Sequence, residues 1–266
     1  MDILIVVVLY NKDINKLTYL NELENVRILI YDNSPNPQIV NDSFVYIHDS
    51  ENSGVSKAYN IGAKFAKNEG IEYFIILDQD TIFDNTILSE YRAAKSKYNT
   101  QYIYAPKIVG NNNKIYSPFQ EATFRNIPFS MKTFNSSELL SLQGISLINS
   151  GLMIPIKIFD EIGGFNEKIK LDFSDTYFID QYKKVYKTVV LLNLEIKHSL
   201  SGDEDSSKHK EIKRFQYFCE GALEYKNSTG LKKRTNKLVL YRTLRLITKY
   251  KTVIPLKIMV RKYLNK

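Results

Sequence analysis

The sequence predicts an α/β domain built on a mainly parallel β-sheet, and three observations support this fold class. Continuous apolar runs recur at 2–10, 26–32 and 73–77, as expected for strands that are buried on both faces. Segments with helical periodicity alternate with these runs. Apolar residues make up 44% of the 266-residue chain, which is enough for one sizeable core.

Local signals place each element. NSPNP ends the second strand, and Gly70 ends the first long helix, in which small and apolar residues recur every three or four positions. Asn-rich turns and short aromatic strands over 101–154 indicate hairpins, and Ser174 is suited to N-cap a later helix. The predicted strands are 2–10, 26–32, 44–49, 73–77 and 187–198, and the predicted helices are 13–24, 53–70, 154–165, 175–186 and 207–227.

Composition excludes several classes of protein. A single cysteine, Cys219, rules out a disulfide framework and a thiolate metal site. The opening apolar run follows Asp2 rather than basic residues, and it is too short to span a bilayer. No later apolar run is long enough to span a bilayer either, so we expect neither a signal peptide nor a membrane span.

The positive charge is concentrated at the C-terminal end. Residues 231–266 contain 12 Lys or Arg and no acidic residue, whereas the other 230 residues carry 25 basic and 29 acidic side chains. A nucleic-acid-binding domain would be basic throughout, so we do not expect a nucleic-acid partner. Leu240, Leu244 and Ile247 share one helical stripe of this tail. The stripe suits an anionic membrane surface, or packing against the rest of the chain.

The stretch FIILDQDTIF, residues 74–83, places Asp78 and Asp80 together at the end of a buried strand. Two neighbouring carboxylates repel, so a positive group should lie between them, or one should stay protonated. One interpretation is a divalent cation with oxygen ligands that also binds phosphate. A second is a phosphatase of the haloacid-dehalogenase type, with Asp78 as nucleophile and Asp80 as acid/base. A solvated strand end is the third.

Other residues with useful chemistry lie near predicted strand ends. Tyr10, Asp32 and Asn52 follow strands whose carboxyl ends should meet at the same sheet edge as the acid pair. His198 follows a later strand, and Asp175 lies in LDFSDTYF. Two carboxylates, a third acid and a strand-end histidine could together form a metal site with a general base.

Several segments of the sequence, taken together and in chain order, resemble the inverting family 2 glycosyltransferases of the GT-A fold. The resemblance is strongest to the rhamnosyltransferase-like branch of bacterial polysaccharide synthesis. The resemblance covers roughly residues 3–202. Its segments are VVVLYNK, YDNSPN, ENSGVSKAYNIGAKFA, FIILDQDTIF, NSGLMIPIKIFDEIGGFNEK, KLDFSDTYF and EIKHSLSG. Departures at 176–178 and at 220–221 lie on the implied acceptor side, which leaves the acceptor and the exact sugar open.

The resemblance implies a mixed, mainly parallel GT-A sheet and transfer of a sugar from a dTDP- or UDP-sugar to a hydroxyl, with inversion and with Mn²⁺ or Mg²⁺ as cofactor. It implies Asp175 as the catalytic base and Asp80 and His198 as metal ligands. The implied nucleotide-binding residues are Val8, Tyr10, Asp32, Asn52, Gly54, Lys57 and Asp78, and those near the donor or acceptor sugar are Ser150, Gly151 and Asp172. Asp32 would accept the N3–H of uracil or thymine, which cytosine lacks.

We predict a catalytic domain over 1–205, divided into a nucleotide-binding half (1–100) and an acceptor-binding half (101–205), followed by a basic helical segment over 206–266. The resemblance implies a lipid-linked glycan acceptor. With the basic tail, it implies a peripheral position on the cytoplasmic face of the bacterial plasma membrane. Rhamnose is the favoured sugar. Galactose, galactofuranose and glucose stay open, as do a homodimer and a non-catalytic sugar-nucleotide-binding protein.

Overall fold

The computed structural model describes residues 2–81, 83–110, 115–121, 127–128, 136–197 and 207–265. The strands are β1 Ile3–Leu9, β2 Arg27–Asp32, β3 Val45–His48, β4 Tyr73–Asp78, β5 Tyr104–Val109, β6 Ile115–Ser117, β7 Phe119–Gln120, β8 Ile127–Pro128, β9 Glu138–Ser141, β10 Ile145–Ser146, β11 Met153–Pro155 and β12 Thr188–Lys197. The helices are α1 Val55–Asn68, α2 Asn85–Tyr98, α3 Ile156–Ile162, α4 Ser174–Val185, α5 Lys208–Thr229, α6 Lys232–Tyr250 and α7 Ile254–Met259.

The main sheet has the order β3-β2-β1-β4-β11-β5-β12-β9, with β6 paired to β5. β1 to β5 and β12 run in one direction, while β6, β9 and β11 run against them. The prediction of a mixed, mainly parallel sheet is therefore confirmed. A smaller sheet has the order β10-β7-β8.

The two faces of the sheet bury alternate residues of the same strands, as period-two geometry requires. Leu4, Val6 and Val8 of β1 pack with α1, α3 and α4 on one face. Ile3, Ile5, Val7 and Leu9 pack with α2 and the segment after β1 on the other face. Because both faces are covered, the strands read as continuous apolar runs.

The C-terminal helices form a third cluster of buried residues. Phe215, Cys219, Ala222 and Tyr225 of α5 pack with Val239 and Leu246 of α6 and with residues of the C-terminal turn. Ile169 and Phe173, which precede α4, belong to the same cluster. None of the helices in the described part of the chain combines the length and the hydropathy that a membrane crossing needs.

Two local predictions were wrong. The predicted helix over 13–24 is a pair of 3₁₀ turns, Ile14–Lys16 and Thr18–Glu22, because Leu17 between them leaves helical backbone geometry (φ −98°, ψ 53°). The hairpins expected over 101–154 are present, since β5 pairs antiparallel with β6 and β7 with β8, and β5 is in addition a central strand of the main sheet. Ser174 begins α4 as its first helical residue, and Phe173 occupies the cap position without a side-chain hydrogen bond.

Candidate active site

Strand register brings the predicted polar residues to one edge of the sheet. Val8 of β1 lies opposite Asp78 on β4, and the next residue, Leu9, lies opposite Asp32 on β2. Tyr10 follows β1 directly and is 40% exposed. The convergence that the parallel topology predicts is therefore confirmed, and it places the acid pair at the carboxyl ends of the strands.

The turn between the two aspartates is clamped by the loop that follows β1. The Tyr10 N–H donates to Gln79 Oε1 at 2.8 Å, and the Lys12 ammonium donates to the Gln79 carbonyl oxygen at 2.5 Å. The lysine therefore supplies a positive charge beside the acid pair. Sequence reasoning missed both Gln79 and Lys12, since the contact spans 67 residues and no local pattern signals it.

A buried tyrosine holds the first aspartate. The Tyr59 hydroxyl donates to Asp78 Oδ1 at 3.0 Å, and the side chain has almost no solvent exposure. Burial, together with the negative charges of Asp78, Asp175 and Asp80, raises the pKa of Tyr59 well above its ordinary value. The hydroxyl therefore stays protonated and remains a donor. Its interaction with all three carboxylates also places Asp175 in the electrostatic neighbourhood of the acid pair.

The resemblance implies that Ser150 and Gly151 lie near the sugar, but the structure places them behind the acid pair. Ser150 is 1% exposed, and its Oγ accepts the Asp78 N–H at 3.1 Å. Gly151 has φ +83°, and a Cβ there would lie 2.6 Å from Pro106 Cγ. The serine therefore supports the backbone of the acid pair, and the glycine is required by packing against β5.

Asp175 occupies the first turn of α4, which is anchored to α1. The Ser174 hydroxyl lies 2.9 Å from the Ser56 hydroxyl, and Ser56 also donates to the Ile169 carbonyl at 2.5 Å. The Asp175 carboxylate accepts the Thr176 N–H at 2.7 Å. The start of α4 is therefore fixed against the helix that carries Tyr59.

The pKa of Asp175 is raised to about 6, chiefly because the group is desolvated by burial, and further because Asp172 and Asp78 are negatively charged nearby. Hydrogen bonds from Thr176 oppose the rise. The N-terminal end of a helix favours the ionised form of a carboxyl, but desolvation outweighs that effect here. A carboxyl with this pKa is ionised at neutral pH and is more basic than an ordinary aspartate.

Asp172 links the loop before α4 to the C-terminal helices. Its Oδ1 lies 3.6 Å from Arg214 of α5 and 3.5 Å from Arg242 of α6. Its Oδ2 is buried and has no hydrogen-bond partner among the described residues. A buried carboxylate oxygen without a donor is costly, and such atoms are often completed by a ligand or by water.

Asp32 is completely buried and is already engaged by protein donors. Oδ1 accepts the Ser34 N–H at 2.9 Å, and Oδ2 accepts from Gln38 Nε2 and from the Tyr46 hydroxyl, each at 2.8 Å. Burial alone would raise the pKa of Asp32, but these hydrogen bonds outweigh it and lower the pKa. In this structure the Asp32 carboxylate holds the 33–38 loop, and its oxygens are not available to a nucleobase. The prediction that Asp32 accepts the N3–H of uracil or thymine therefore does not hold in its simplest form.

A small cleft lies in front of this loop. It has a volume of about 240 Å³ and is lined by residues 11–13 and 34–38. A larger hollow of about 620 Å³, beside the lower part of α4 and the start of α6, is lined by Asp180, Lys183 and Arg234 among others. None of the predicted site residues lines the larger hollow. None lines the smaller cleft either, but Lys12, which donates to the Gln79 carbonyl between the two aspartates, does line it, and this contact associates the smaller cleft with the acid pair.

The segment before α1 packs against the loop that precedes α4. The Lys170 ammonium donates to the Asn52 carbonyl at 3.4 Å, and a Cβ on Gly54 (φ +96°) would lie 2.2 Å from the Lys170 carbonyl oxygen. Lys57 lies 4.0 Å from Asp49 Oδ2 and donates to Ser53 Oγ at 3.2 Å. The contacts of Asn52 and Gly54 join the two halves of the site, whereas Lys57 interacts within its own segment.

Among the described residues, no group of three or more His, Cys, Asp or Glu side chains is placed so that it could hold a metal ion. His198, the implied third metal ligand, lies outside the described residues, as does most of the acidic stretch over 201–208. Asp78 and Asp80 are nevertheless both half-buried at the same turn. Mg²⁺ commonly binds through one or two carboxylates and the phosphates of a substrate, so this pair fits such a cation.

The mixed, mainly parallel sheet, with the acid pair at its carboxyl edge, has the α/β architecture of the GT-A fold. Residues 5–159, more than half of the chain, match the family described as Glycosyl transferase family 2, and the chain belongs to this family. The resemblance drawn from the sequence is confirmed at this level. Family membership also decides against the phosphatase interpretation of the acid pair.

A curated relative is the dTDP-rhamnosyl transferase RfbF of Shigella flexneri, 24% identical over 180 residues. The alignment covers 64% of this chain, and the chain spans 60% of the length of that relative. Similar solved structures include S. aureus TarS 1–349, with a TM-score of 0.57 and 14% identity, and the same fragment in complex with UDP-GlcNAc, with a TM-score of 0.56 and 12% identity; each covers 99% of this chain and 89% of the other. GalNAc-T7 with UDP, GalNAc and Mn²⁺ has a TM-score of 0.56 at 14% identity, over 95% of this chain and 57% of that one. At these identities the solved structures show the fold alone.

Proposed function

We propose that this protein transfers a sugar from a dTDP- or UDP-sugar to a hydroxyl of a glycan acceptor, with inversion, and that rhamnose from dTDP-rhamnose is the favoured donor. The observation that carries the proposal is geometric: the Ser56–Ser174 contact holds the start of α4, and with it Asp175, against the helix whose Tyr59 hydroxyl donates to Asp78. The negative charge of Asp78 also contributes to the raised pKa of Asp175. A donor whose diphosphate lies at the acid pair would have its sugar close to this third carboxylate. The curated S. flexneri relative, described as a dTDP-rhamnosyl transferase, supports the choice of sugar.

Asp175 is the proposed general base. With a pKa of about 6, it is mostly ionised at neutral pH and basic enough to accept the proton of an attacking hydroxyl. The acceptor oxygen forms a bond to the anomeric carbon while the bond from that carbon to the diphosphate oxygen breaks. Direct attack from the face opposite the nucleotide inverts the anomeric configuration, and no covalent intermediate on the protein is needed.

Asp80 would hold Mn²⁺ or Mg²⁺, with His198 proposed as a further ligand from the resemblance, and Asp78 would contact the ribose or support the cation from the side. When bound, such a cation offsets the negative charge that grows on the leaving diphosphate. The chain adds two contributions of its own. Tyr59 keeps Asp78 in a fixed orientation through its hydroxyl, and Lys12 places a positive charge at the Gln79 carbonyl.

The cleft lined by residues 11–13 and 34–38 is the proposed base pocket. Tyr10, which precedes the lining residue Asn11 in the chain, is exposed and available to contact a nucleotide. Asp32 would accept the N3–H of uracil or thymine only if Gln38 or Tyr46 gives up its hydrogen bond. Otherwise the carboxylate acts indirectly, by holding the pocket wall.

A thermal-shift screen with Mn²⁺ tests the donor part of the proposal. We expect UDP or dTDP and their sugars to raise the melting temperature more than CDP or GDP do. If Asp32 contacts the base, Asp32→Asn will narrow the difference between UDP and CDP. If it only supports the loop, the variant will weaken all pyrimidine nucleotides equally. Asp42→Asn, on an exposed loop, is the matched control. A protein that responds to no nucleoside diphosphate would refute the proposal.

The acceptor is proposed to be a lipid-linked glycan of cell-surface polysaccharide synthesis. The division into a catalytic domain over 1–205 and a basic helical segment over 206–266 is kept as part of the proposal. In that arrangement, Asp172 lies where the two parts meet, through its contacts with Arg214 and Arg242. The acceptor side of the site is therefore formed in part by the C-terminal helices.

A further inference from the structure

Helix α6 carries two apolar stripes on different faces. Thr235, Val239, Thr243 and Leu246 are buried and face the rest of the chain. Leu240 and Leu244 face outward and are 50% and 54% exposed. The stripe that the sequence predicts, which contains Leu240 and Leu244, is therefore not the stripe that packs on the protein. These two leucines stay exposed to solvent after α6 has packed.

The segment that follows repeats this arrangement. Val253, Leu256, Val260 and Leu264 are spaced at three- and four-residue intervals along α7 and the π-helical turn Val260–Leu264, and all are exposed. Lys257 and Arg261 lie between them on the same exposed stripe. Pro255, Ile258 and Tyr263 occupy the buried side. We call the outward residues Leu240, Leu244, Val253, Leu256, Val260 and Leu264, with Lys257 and Arg261, the C-terminal face.

Exposed apolar residues are concentrated in this part of the chain. Of the 14 large hydrophobic residues that are exposed in the described structure, nine lie between 231 and 264. Scattered exposed apolar residues are ordinary on protein surfaces, whereas a concentration of them marks an interaction site. The concentration of exposed apolar residues over 231–264 therefore indicates a surface that binds a partner.

The charge of the segment indicates what that partner is. Residues 231–266 contain no acidic side chain. Some of their cations pair with acids of other elements, as Lys249 does with Glu211 and Lys262 with Glu220. Lys257 and Arg261 form no ion pair with a described residue. A second copy of the same face would bring cations against cations, whereas an anionic surface would neutralise them.

We propose that the C-terminal face binds an anionic lipid bilayer. Basic side chains beside an exposed apolar stripe let a helix lie in the interface, with its apolar residues at the headgroup boundary and its cations near anionic headgroups. The contact of Arg242 with Asp172 then connects the membrane-bound helices to the acceptor side of the site. The inference does not depend on the sugar or on the transferase activity.

Vesicle flotation of the full-length protein tests the inference. We expect binding to vesicles that contain phosphatidylglycerol, little binding to phosphatidylcholine alone, and loss of binding in high salt. Lys257→Gln with Arg261→Gln should lower the partition coefficient about 30-fold. Lys16→Gln with Lys64→Gln, two exposed lysines elsewhere, is the matched control and should bind as the wild type does.

A second pair of variants tests the apolar part. Leu256→Ser with Val260→Ser should reduce binding about tenfold or more, whereas Ile39→Ser, at an exposed position outside the segment, should not. Melting curves establish that each variant is folded. Equal binding by wild type and charge variant would overturn the proposal, as would equal binding to both vesicle types. A wild-type oligomer that these variants convert to monomers would identify the face as a contact between copies instead. Nucleotide-induced thermal shifts, measured in parallel, keep this outcome separate from failure of the proposed activity.

Discussion

Replacing Asp175 by asparagine should abolish transfer while making the folded protein more stable at neutral and alkaline pH. The base contributes about 10²- to 10⁴-fold to the rate, so kcat should fall by that factor while nucleotide affinity is kept. In the wild type, kcat/KM should rise about tenfold per pH unit below pH 6 and level off about one unit higher, because the pKa of Asp175 is about 6.

The stability effect follows from the same pKa. In the folded protein the pKa of Asp175 lies above its ordinary value of 3.8. Its contribution to the free energy of unfolding is therefore complete below pH 3.8 and is lost as the pH rises through 6. Raising the pKa from 3.8 to about 6 costs the ionised folded state about 3 kcal/mol. Partial solvent access reduces this cost to about 2 kcal/mol. Asp175→Asn removes the charge and should raise Tm at pH 8 by about 5 °C.

Melting curves and initial rates measured across the same pH range test this reasoning. The Tm advantage of Asp175→Asn should shrink as the pH falls below 6 and disappear near pH 4. Asp42→Asn, at an exposed position, should show no such pH dependence. A variant with full turnover would refute the base assignment. Equal Tm values for variant and wild type at every pH would refute the claim that burial destabilises the ionised form of Asp175.

Three further outcomes follow from the site. EDTA should abolish transfer, and Mn²⁺ or Mg²⁺ should restore it; metal-independent transfer would contradict the proposed role of Asp78 and Asp80. Tyr59→Phe should lower kcat/KM about tenfold and stability by about 1–2 kcal/mol, because Asp78 loses a buried donor, and unchanged kinetics would remove Tyr59 from the site. Asp172→Asn should move the acid limb of the pH–rate profile below pH 6, since the negative charge of Asp172 raises the pKa of Asp175, and an unmoved limb would show that the two groups are not coupled.

The parallel half of the fold could be predicted from the sequence because its strands are buried on both faces. β1, β2 and β4 are continuous apolar runs that end at polar residues, so both their extent and the edge that carries Asp32 and Asp78 follow from local pattern. The signal for α2 is also local, since Asp84 caps it and Leu88, Tyr91 and Ala94 share a face, although the predicted helices do not include it. Element type is readable where periodicity and caps agree.

β5 was hidden by Pro106, because proline is depleted in central strands. The structure accommodates it because β11 pairs with β5 only at Tyr104 and β6 pairs with it only at Ile108 and Val109, so Pro106 takes part in neither pairing. The arrangement of the site was hidden for a different reason. Its supporting contacts join residues far apart in sequence, such as Lys12 to Gln79 and Ser56 to Ser174, which are 67 and 118 positions apart.

Nucleoside diphosphate release from a panel of dTDP- and UDP-sugars, with a simple phosphate ester in parallel, tests the central claim most directly. With a divalent cation and a lipid-linked glycan fraction as acceptor, the wild type should release the diphosphate from at least one donor and leave the ester intact. Asp80→Asn and Asp175→Asn should each abolish release. The claim would be contradicted if no donor were consumed, or if the ester were hydrolysed by a route that requires Asp78.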